Sequence, residues 1–222
     1  ATDFTFFGQL MILILIQIGG LGIMSIAAMM SLLAGQGIGV SQGKQLREMF
    51  HGEYLRESRH VIKFIILFTL VFEVIGAFLL YIGFGSEITD VPQRLWFAIF
   101  HSVSAFCNAG FSTFSNSLTG FSGNGLVVNT ITGLLIVGGL GFAVVANLLA
   151  YFRGRAMSDR KVRLSVQTKV VVVVSLALLI FGGAVIYFSE TENAFAGMSV
   201  AESISLSMFQ SATARTAGFN TI

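Results

Sequence analysis

Four apolar segments constrain what this chain can fold into: Phe4 to Leu33, Phe64 to Gly85, Gly125 to Phe152 and Val170 to Phe188. A hydrocarbon core of about 30 Å takes roughly 20 apolar residues of helix, so each segment is long enough to cross a bilayer. Two further apolar pieces, about Leu95 to Phe106 and about Ser199 to Thr213, are shorter. As helix they reach only roughly 18 to 22 Å and would not cross comfortably. Composition points the same way, because a chain that is 55% hydrophobic and 11% charged lies outside the usual soluble mixture. The first apolar stretch follows Asp3 without a basic leader and runs about twice the length of a signal-peptide core, so it is expected to be a span of the mature protein.

Charge placement decides how the short pieces are used. Lys44, Arg47, Arg56, Arg59 and Lys63 fall in one loop, and Arg153, Arg155, Arg160, Lys161, Arg163 and Lys169 in another, which together hold eleven of the thirteen basic residues. The loops around Glu87 and Asp90 and around Glu190 and Glu192 are acidic. The positive-inside rule therefore puts the basic loops, 44–63 and 153–169, in the cytoplasm and the acidic ones outside. Three apolar segments lie between the two basic loops, yet only an even number of crossings can join the same side. The shortest, Leu95 to Phe106, is thus expected to enter from outside and return. Non-helical backbone at membrane depth is tolerated where protein covers it or where it lines a watery cavity, and the second alternative suggests a pore.

Two motifs recur in the same order. Gly19-Gly20-Leu21-Gly22 returns as Gly138-Gly139-Leu140-Gly141, and Ala109-Gly110-Phe111 returns as Ala217-Gly218-Phe219. The repeating unit is span, short half-helix, glycine-bearing loop, span. The first motif fits close packing of helices through small residues. The second fits a helix C-cap, where glycine supplies a positive φ. It also fits a loop that turns carbonyls toward an ion, because Ser102, Ser104, Cys107, Asn108, Ser112 and Thr113 flank one copy and Ser211, Thr213, Thr216, Asn220 and Thr221 the other. A dehydrated potassium ion needs several oxygens in place of water, and backbone carbonyls supply them without burying a full charge. The half-helices would also aim their negative C-terminal ends at the membrane centre, favouring a cation.

In these residues the chain resembles the Trk/Ktr/HKT superfamily of potassium transporters, most closely its bacterial Ktr-type membrane subunits. The resemblance rests on Phe6-Phe7-Gly8-Gln9 leading into Ile18-Gly19-Gly20-Leu21-Gly22, on Asn108-Ala109-Gly110-Phe111, and on Thr213-Ala214-Arg215-Thr216-Ala217-Gly218-Phe219-Asn220. It implies an all-α integral membrane protein built from repeated units of potassium-channel type, each a transmembrane helix, a re-entrant pore helix and loop, and a second transmembrane helix. Four such units would surround one pore, with Gly110 and Gly218 as the second and third filter glycines. On that pattern residues 1–43 close the first unit and start a cytoplasmic loop, and 44–152 form the second unit with its pore loop at about 95–114. Residues 153–222 form the third unit through its pore loop at about 199–222, without its closing span, and one copy of these residues does not close a four-loop filter. The filter backbone would comprise Cys107, Asn108, Ala109, Gly110 and Phe111 with Thr216, Ala217, Gly218 and Phe219, and Arg215 would brace it. The resemblance further implies potassium uptake across the cell membrane, potassium as the transported ion, sodium as a supporting ion, no covalently bound cofactor, a homodimer with one pore per subunit, and a regulatory cytoplasmic ring of nucleotide-binding domains. The basic loops fit docking of that ring, and fit setting topology and contacting anionic lipid at least as well.

Other chemistry has weaker support. Nothing points to nucleic-acid binding, and the single cysteine, Cys107, excludes an intrachain disulfide or a paired zinc motif. Glu73 sits mid-span, where a carboxylate usually faces polar partners or a cavity. His101 beside Ser102, and Gly39-Val40-Ser41-Gln42-Gly43 followed by Glu57 and His60, leave a rival class, an intramembrane hydrolase using Ser41 or Ser102. Adjacent residues on a helix need not face each other, and the nucleophile pattern needs a strand-turn-helix setting. The Gly35 to Gly39 cluster lacks the strand-helix-strand unit of a dinucleotide site. A membrane partner without transport activity is the third class. If the basic loops dock a cytoplasmic ring, reversing the charges of Arg160 and Lys161 should reduce its co-purification; unchanged recovery would count against docking.

Overall fold

The computed structural model describes residues 1–33, 58–156 and 163–222. Lys44, Arg47, Arg56, Glu57, Ser41 with its surrounding glycines, Arg160 and Lys161 lie outside the described residues, and with them the ring-docking and Ser41-nucleophile expectations. Among the described residues the regular structure is entirely helical. It comprises α1 (Phe6–Leu33), α2 (Ser58–Gly83), α3 (Val91–Phe106), α4 (Gly125–Leu140), α5 (Phe142–Ala156), α6 (Val166–Glu190) and α7 (Val200–Thr216), with single 3-10 turns at Phe84–Ser86 and Thr119–Phe121.

Two of the four expected spans are continuous helices long and apolar enough to cross a membrane, Lys63–Ser86 and Val166–Glu190. The other two are interrupted at the same motif position. Gly22 leaves helical geometry at φ 75 and ψ 153 inside α1, and Gly141 separates α4 from α5 at φ 79. The last glycine of each Gly-Gly-Leu-Gly copy thus takes a backbone conformation that a side chain would disfavour. Close packing, the sequence expectation for the motif, accounts for Gly20 and Gly138 only.

The two short helices are longer than their apolar pattern, the first at its start and the second at its end. In α3, Asp90 caps the N-terminus by accepting from the Gln93 N–H at 3.1 Å, with Pro92 in the first turn, so the polar turn before Leu95 is already helical. In α7, Ser199 and Glu202 form a reciprocal capping box. The helices run to sixteen and seventeen residues, still below the roughly 20 that a crossing requires.

The chain divides into two compact units. One comprises Ala1–Gly20, Leu70–Gly139 and Leu176–Ile222, and the other Leu21–Thr69 and Leu140–Ser175. In the second unit Phe68 meets Phe142 edge-on at 6.2 Å. Ser165 caps α6 by accepting from the Thr168 N–H at 3.1 Å, while its own N–H donates to Asn147 Oδ1 at 3.0 Å.

The first unit carries α3, α7 and the loops that follow them. Its fully buried side chains include Leu80, Phe84, Phe100, His101, Ile131, Leu206, Phe209 and Phe219. Phe84 is the aromatic hub, with ring centroids 5.5 Å from Phe114 and 4.8 Å from Phe121, so the segment returning from α3 is pinned beneath the end of α2. The top of α1 is tied to α3 by Trp96 Nε1 donating to Gln9 Oε1 at 2.8 Å. On the other side Ser211 of α7 donates to Leu179 O of α6 at 2.9 Å, and Ser205 donates to Asn129 Oδ1 of α4 at 2.9 Å.

Gly76 of α2 is buried where a Cβ would come within 2.5 Å of Ser102 Oγ and 2.7 Å of Leu134 Cδ1. The Ser102 hydroxyl already donates to Glu73 O at 2.7 Å and has little room to retreat. Gly76→Ala is therefore expected to destabilise the full-length protein by about 1–3 kcal/mol, read as a lowered thermal midpoint in detergent; an unchanged midpoint would show that α2 and α3 do not pack this closely.

Candidate functional site

Helix α3 ends because its last turn is closed on itself. The Asn108 N–H donates to Ala105 O at 3.0 Å and the Ala109 N–H to Ser104 O at 2.8 Å, while Asn108 takes a φ of 53. This six-to-one bond around a left-handed residue is the usual helix stop, with asparagine in place of glycine. Gly110, at φ 72, comes two residues later, so the helix cap does not account for it. In α7 the Ala217 and Gly218 N–H groups both donate to Thr213 O at 3.0 Å, and Gly218, at φ 86, is itself the stop residue. The C-cap role expected for these glycines thus fits Gly218 and not Gly110.

A hydroxyl from each helix then fixes the carbonyl after the glycine. Ser104 Oγ donates to Phe111 O at 2.8 Å and Thr213 Oγ1 to Phe219 O at 3.0 Å. Sequence reasoning named both hydroxyls only as polar flanks. The signal that could have found them is their similar lead, seven residues before one phenylalanine and six before the other. The copies differ in their rings, since Phe111 is exposed and Phe219 is 2% exposed, 6.3 Å from the His101 ring.

The two loops, about 108 residues apart in sequence, lie side by side. Thr216 Oγ1 donates to Asn108 Oδ1 at 2.6 Å, the Leu118 N–H to Asn220 O at 2.8 Å, and the Asn220 N–H to Ser117 Oγ at 3.0 Å. A Cβ on Gly110 would collide with the carbonyl of Ala217, so the absence of a side chain there is a condition of contact. Among the described residues no hydrogen bond reaches the carbonyl oxygens of Cys107, Asn108, Ala109, Gly110, Ala217 or Gly218. Backbone carbonyls rarely stay unpaired, so these six call for a further partner such as water or a cation.

The base of the first loop is seated on both Gly-Gly-Leu-Gly copies. A Cβ on Gly20 would strike the Cys107 side chain, and one on Gly138 would strike the carbonyl of Phe106. Arg215 lies exposed in the last turn of α7, where a positive charge suits the negative end of the helix dipole.

Histidine 101 is fully buried, with Nδ1 2.7 Å from Phe97 O and Nε2 2.9 Å from Ser112 Oγ. A carbonyl only accepts, so Nδ1 carries the proton; the imidazole, when neutral, then accepts from the Ser112 hydroxyl at Nε2. Ser112 also accepts the Phe114 N–H at 3.0 Å, and the His101 ring stacks on Phe114 at 4.6 Å. Histidine and serine do meet, but as a brace from α3 to the returning segment. Ser102 is turned to Glu73 O instead and is 0% exposed, which removes the geometry a hydrolase would need at that pair. Among the described residues no group of three His, Cys, Asp or Glu side chains could hold a metal ion.

Comparison with known proteins bears on the same residues. The sequence profile of the family described as TrkH, cation transport protein, matches residues 2–222. The chain is 34% identical over 227 residues to the Ktr system potassium uptake protein B of Vibrio alginolyticus, covering 99% of this chain and 47% of that protein. It is 34% identical over 218 residues to the potassium/sodium uptake protein NtpJ of Enterococcus hirae, covering 97% and 46%. With the Ktr system potassium uptake protein B of Bacillus subtilis it shares 33% over 228 residues, covering 100% and 48%. The chain spans about half the length of the curated relatives it matches.

The neighbouring glycines Gly138 and Gly139 allow a paired test. At Gly139 the nearest atom to an added Cβ is Asn108 Oδ1 at 3.6 Å, an ordinary contact, so Gly139→Ala should stabilise α4 by up to about 1 kcal/mol through helix propensity. Gly138→Ala should cost about 1–3 kcal/mol by pushing on the base of the loop. Thermal unfolding of the two full-length variants decides the matter, and equal midpoints would refute the seating.

Proposed function

Because this chain belongs to the TrkH family of cation transport proteins, and is accordingly a membrane protein, we propose that it forms part of a potassium uptake pore in which the two abutting loops are segments of the ion filter. The observation that carries this is the set of six carbonyls, on Cys107 to Gly110 and on Ala217 and Gly218, that accept no hydrogen bond among the described residues, at the C-terminal ends of two helices too short to cross a bilayer. Such carbonyls can replace part of the hydration shell of potassium while leaving no net charge to trap the ion. The negative ends of α3 and α7 raise the local preference for a cation. The names of the Ktr relatives support potassium as the ion, and that of NtpJ, a potassium/sodium uptake protein, is consistent with sodium as a second ion.

The filter residues are Cys107, Asn108, Ala109, Gly110, Phe111, Thr216, Ala217, Gly218 and Phe219, with Arg215 supporting the second segment. Passage is passive, down the electrochemical gradient, and requires no covalent step. The protein sits in the cell membrane with both short helices entering from outside and the basic loops in the cytoplasm, as their charge favours. It works as a homodimer with a cytoplasmic nucleotide-binding ring; the word "system" in the relatives' names is consistent with a partner subunit.

Substitution of each glycine in the full-length protein tests the assignment. At φ 72 and 86 a side chain is strained, so Gly110→Ser and Gly218→Ser should each lower potassium over sodium selectivity by roughly tenfold or more, the equivalent of about 1.4 kcal/mol of discrimination. Uptake is measured in cells that lack other potassium systems. Wild-type selectivity in both variants would sink the filter assignment.

A further inference from the structure

The base of the first loop is held by a carboxylate for which the cation pathway itself has no evident use. Glu73 lies on α2 at 7% exposure. Its Oε2 accepts from Gln17 Nε2 of α1 at 3.3 Å, and its Oε1 lies 4.0 Å from Cys107 Sγ, within reach of the thiol hydrogen. The same thiol is 4.0 Å from Gln17 Oε1, so Cys107 sits between two acceptors. The Glu73 carbonyl accepts from the Ser102 hydroxyl of α3 at 2.7 Å. One residue thereby touches α1, the body of α3 and the first residue after α3. Gly20, without a Cβ, packs directly against the Cys107 side chain.

An intramembrane carboxylate normally faces a partner or a functional cavity. Among the described residues no basic side chain pairs with this one. What surrounds it is a set of neutral groups with fixed directions, which suits a part whose task is placement. Cys107 is the hinge of that placement, because it is the C-cap of α3 at φ −76 and ψ 0 and the next residue turns left-handed. A displaced Cys107 would carry the carbonyls of residues 107–110 with it.

We propose that Glu73 is a positioning residue that fixes the inner end of the first loop through Gln17 and Cys107, and so sets the cation preference of the pore. This rests on the filter assignment above. The test uses Glu73→Gln, Glu73→Leu and Gln17→Leu in the full-length protein, with potassium and sodium uptake measured as half-saturation and maximal rate. Glutamine keeps an acceptor for Gln17 Nε2 and turns its amide N–H to the Cys107 sulfur, whose hydrogen still has Gln17 Oε1 as an acceptor, so it should hold selectivity within about threefold of wild type. Leucine at position 73 removes the hydrogen-bonding capacity and should lower selectivity by roughly tenfold, by raising the half-saturation for potassium more than it lowers the maximal rate. Gln17→Leu should move selectivity the same way without altering α2, which keeps the proposal testable if Glu73→Leu does not assemble. Wild-type selectivity in a folded Glu73→Leu or Gln17→Leu variant overturns it, and so does a Glu73→Gln variant as defective as Glu73→Leu, since charge and not placement would then matter. If Gly110→Ser and Gly218→Ser lose selectivity while these variants keep it, only the role of Glu73 fails; if the glycine variants also keep it, the filter assignment fails first.

Discussion

A helix that stops leaves its last carbonyls without helical partners, and this structure is organised around two such ends, those of α3 and α7. In water the omission would cost little, because solvent would bond the open groups. In hydrocarbon each unsatisfied backbone group is expensive, so irregular backbone survives there only beside protein or a polar path. The chain limits that exposure in two ways. It closes each helix end on itself, through Ala109 to Ser104 and through Gly218 to Thr213, and it sets the two ends against one another, through Thr216 to Asn108 and Leu118 to Asn220. The carbonyls that remain open are then few and lie together in sequence on each loop.

The surrounding residues follow from the need to hold those open groups in place. Ser104 and Thr213 fix the carbonyl after each glycine. His101 and Ser112, packed in the ring cluster of Phe84 and Phe114, hold the returning segment to α3. Gly20 and Gly138 let α1 and α4 approach so closely that the loop base rests on their backbones. Each device is small, and each replaces a degree of freedom that the loop would otherwise keep.

The repeat in the sequence is only partly a repeat in structure. The second copy stops its helix with Gly218, whereas the first stops with Asn108 and reserves Gly110 for the contact with Ala217. Phe219 is buried against the His101 side of the first loop and Phe111 is exposed. Two copies of one motif thus play different parts because each meets the other, and not a copy of itself. Unequal loops are a natural result of motif copies joined in one chain.

Membrane class, helical content, the two short helices and the motif repeat were legible from apolar length, charge placement and glycine spacing. Those are local properties, set by how many apolar residues a bilayer needs and by which dihedrals each residue tolerates. The interruption of two spans at Gly22 and Gly141 was not legible, since a glycine in an apolar run fits close packing as well as a break. Nor was the choice of Ser112 over Ser102 as the partner of His101, nor the meeting of Gln17, Glu73 and Cys107. Those pairings join residues up to about ninety positions apart, and only packing decides which polar groups share a buried site. The sequence determined that two helices would be too short to cross, because apolar length is local; the tertiary structure decided where the other spans break and what each freed group touches.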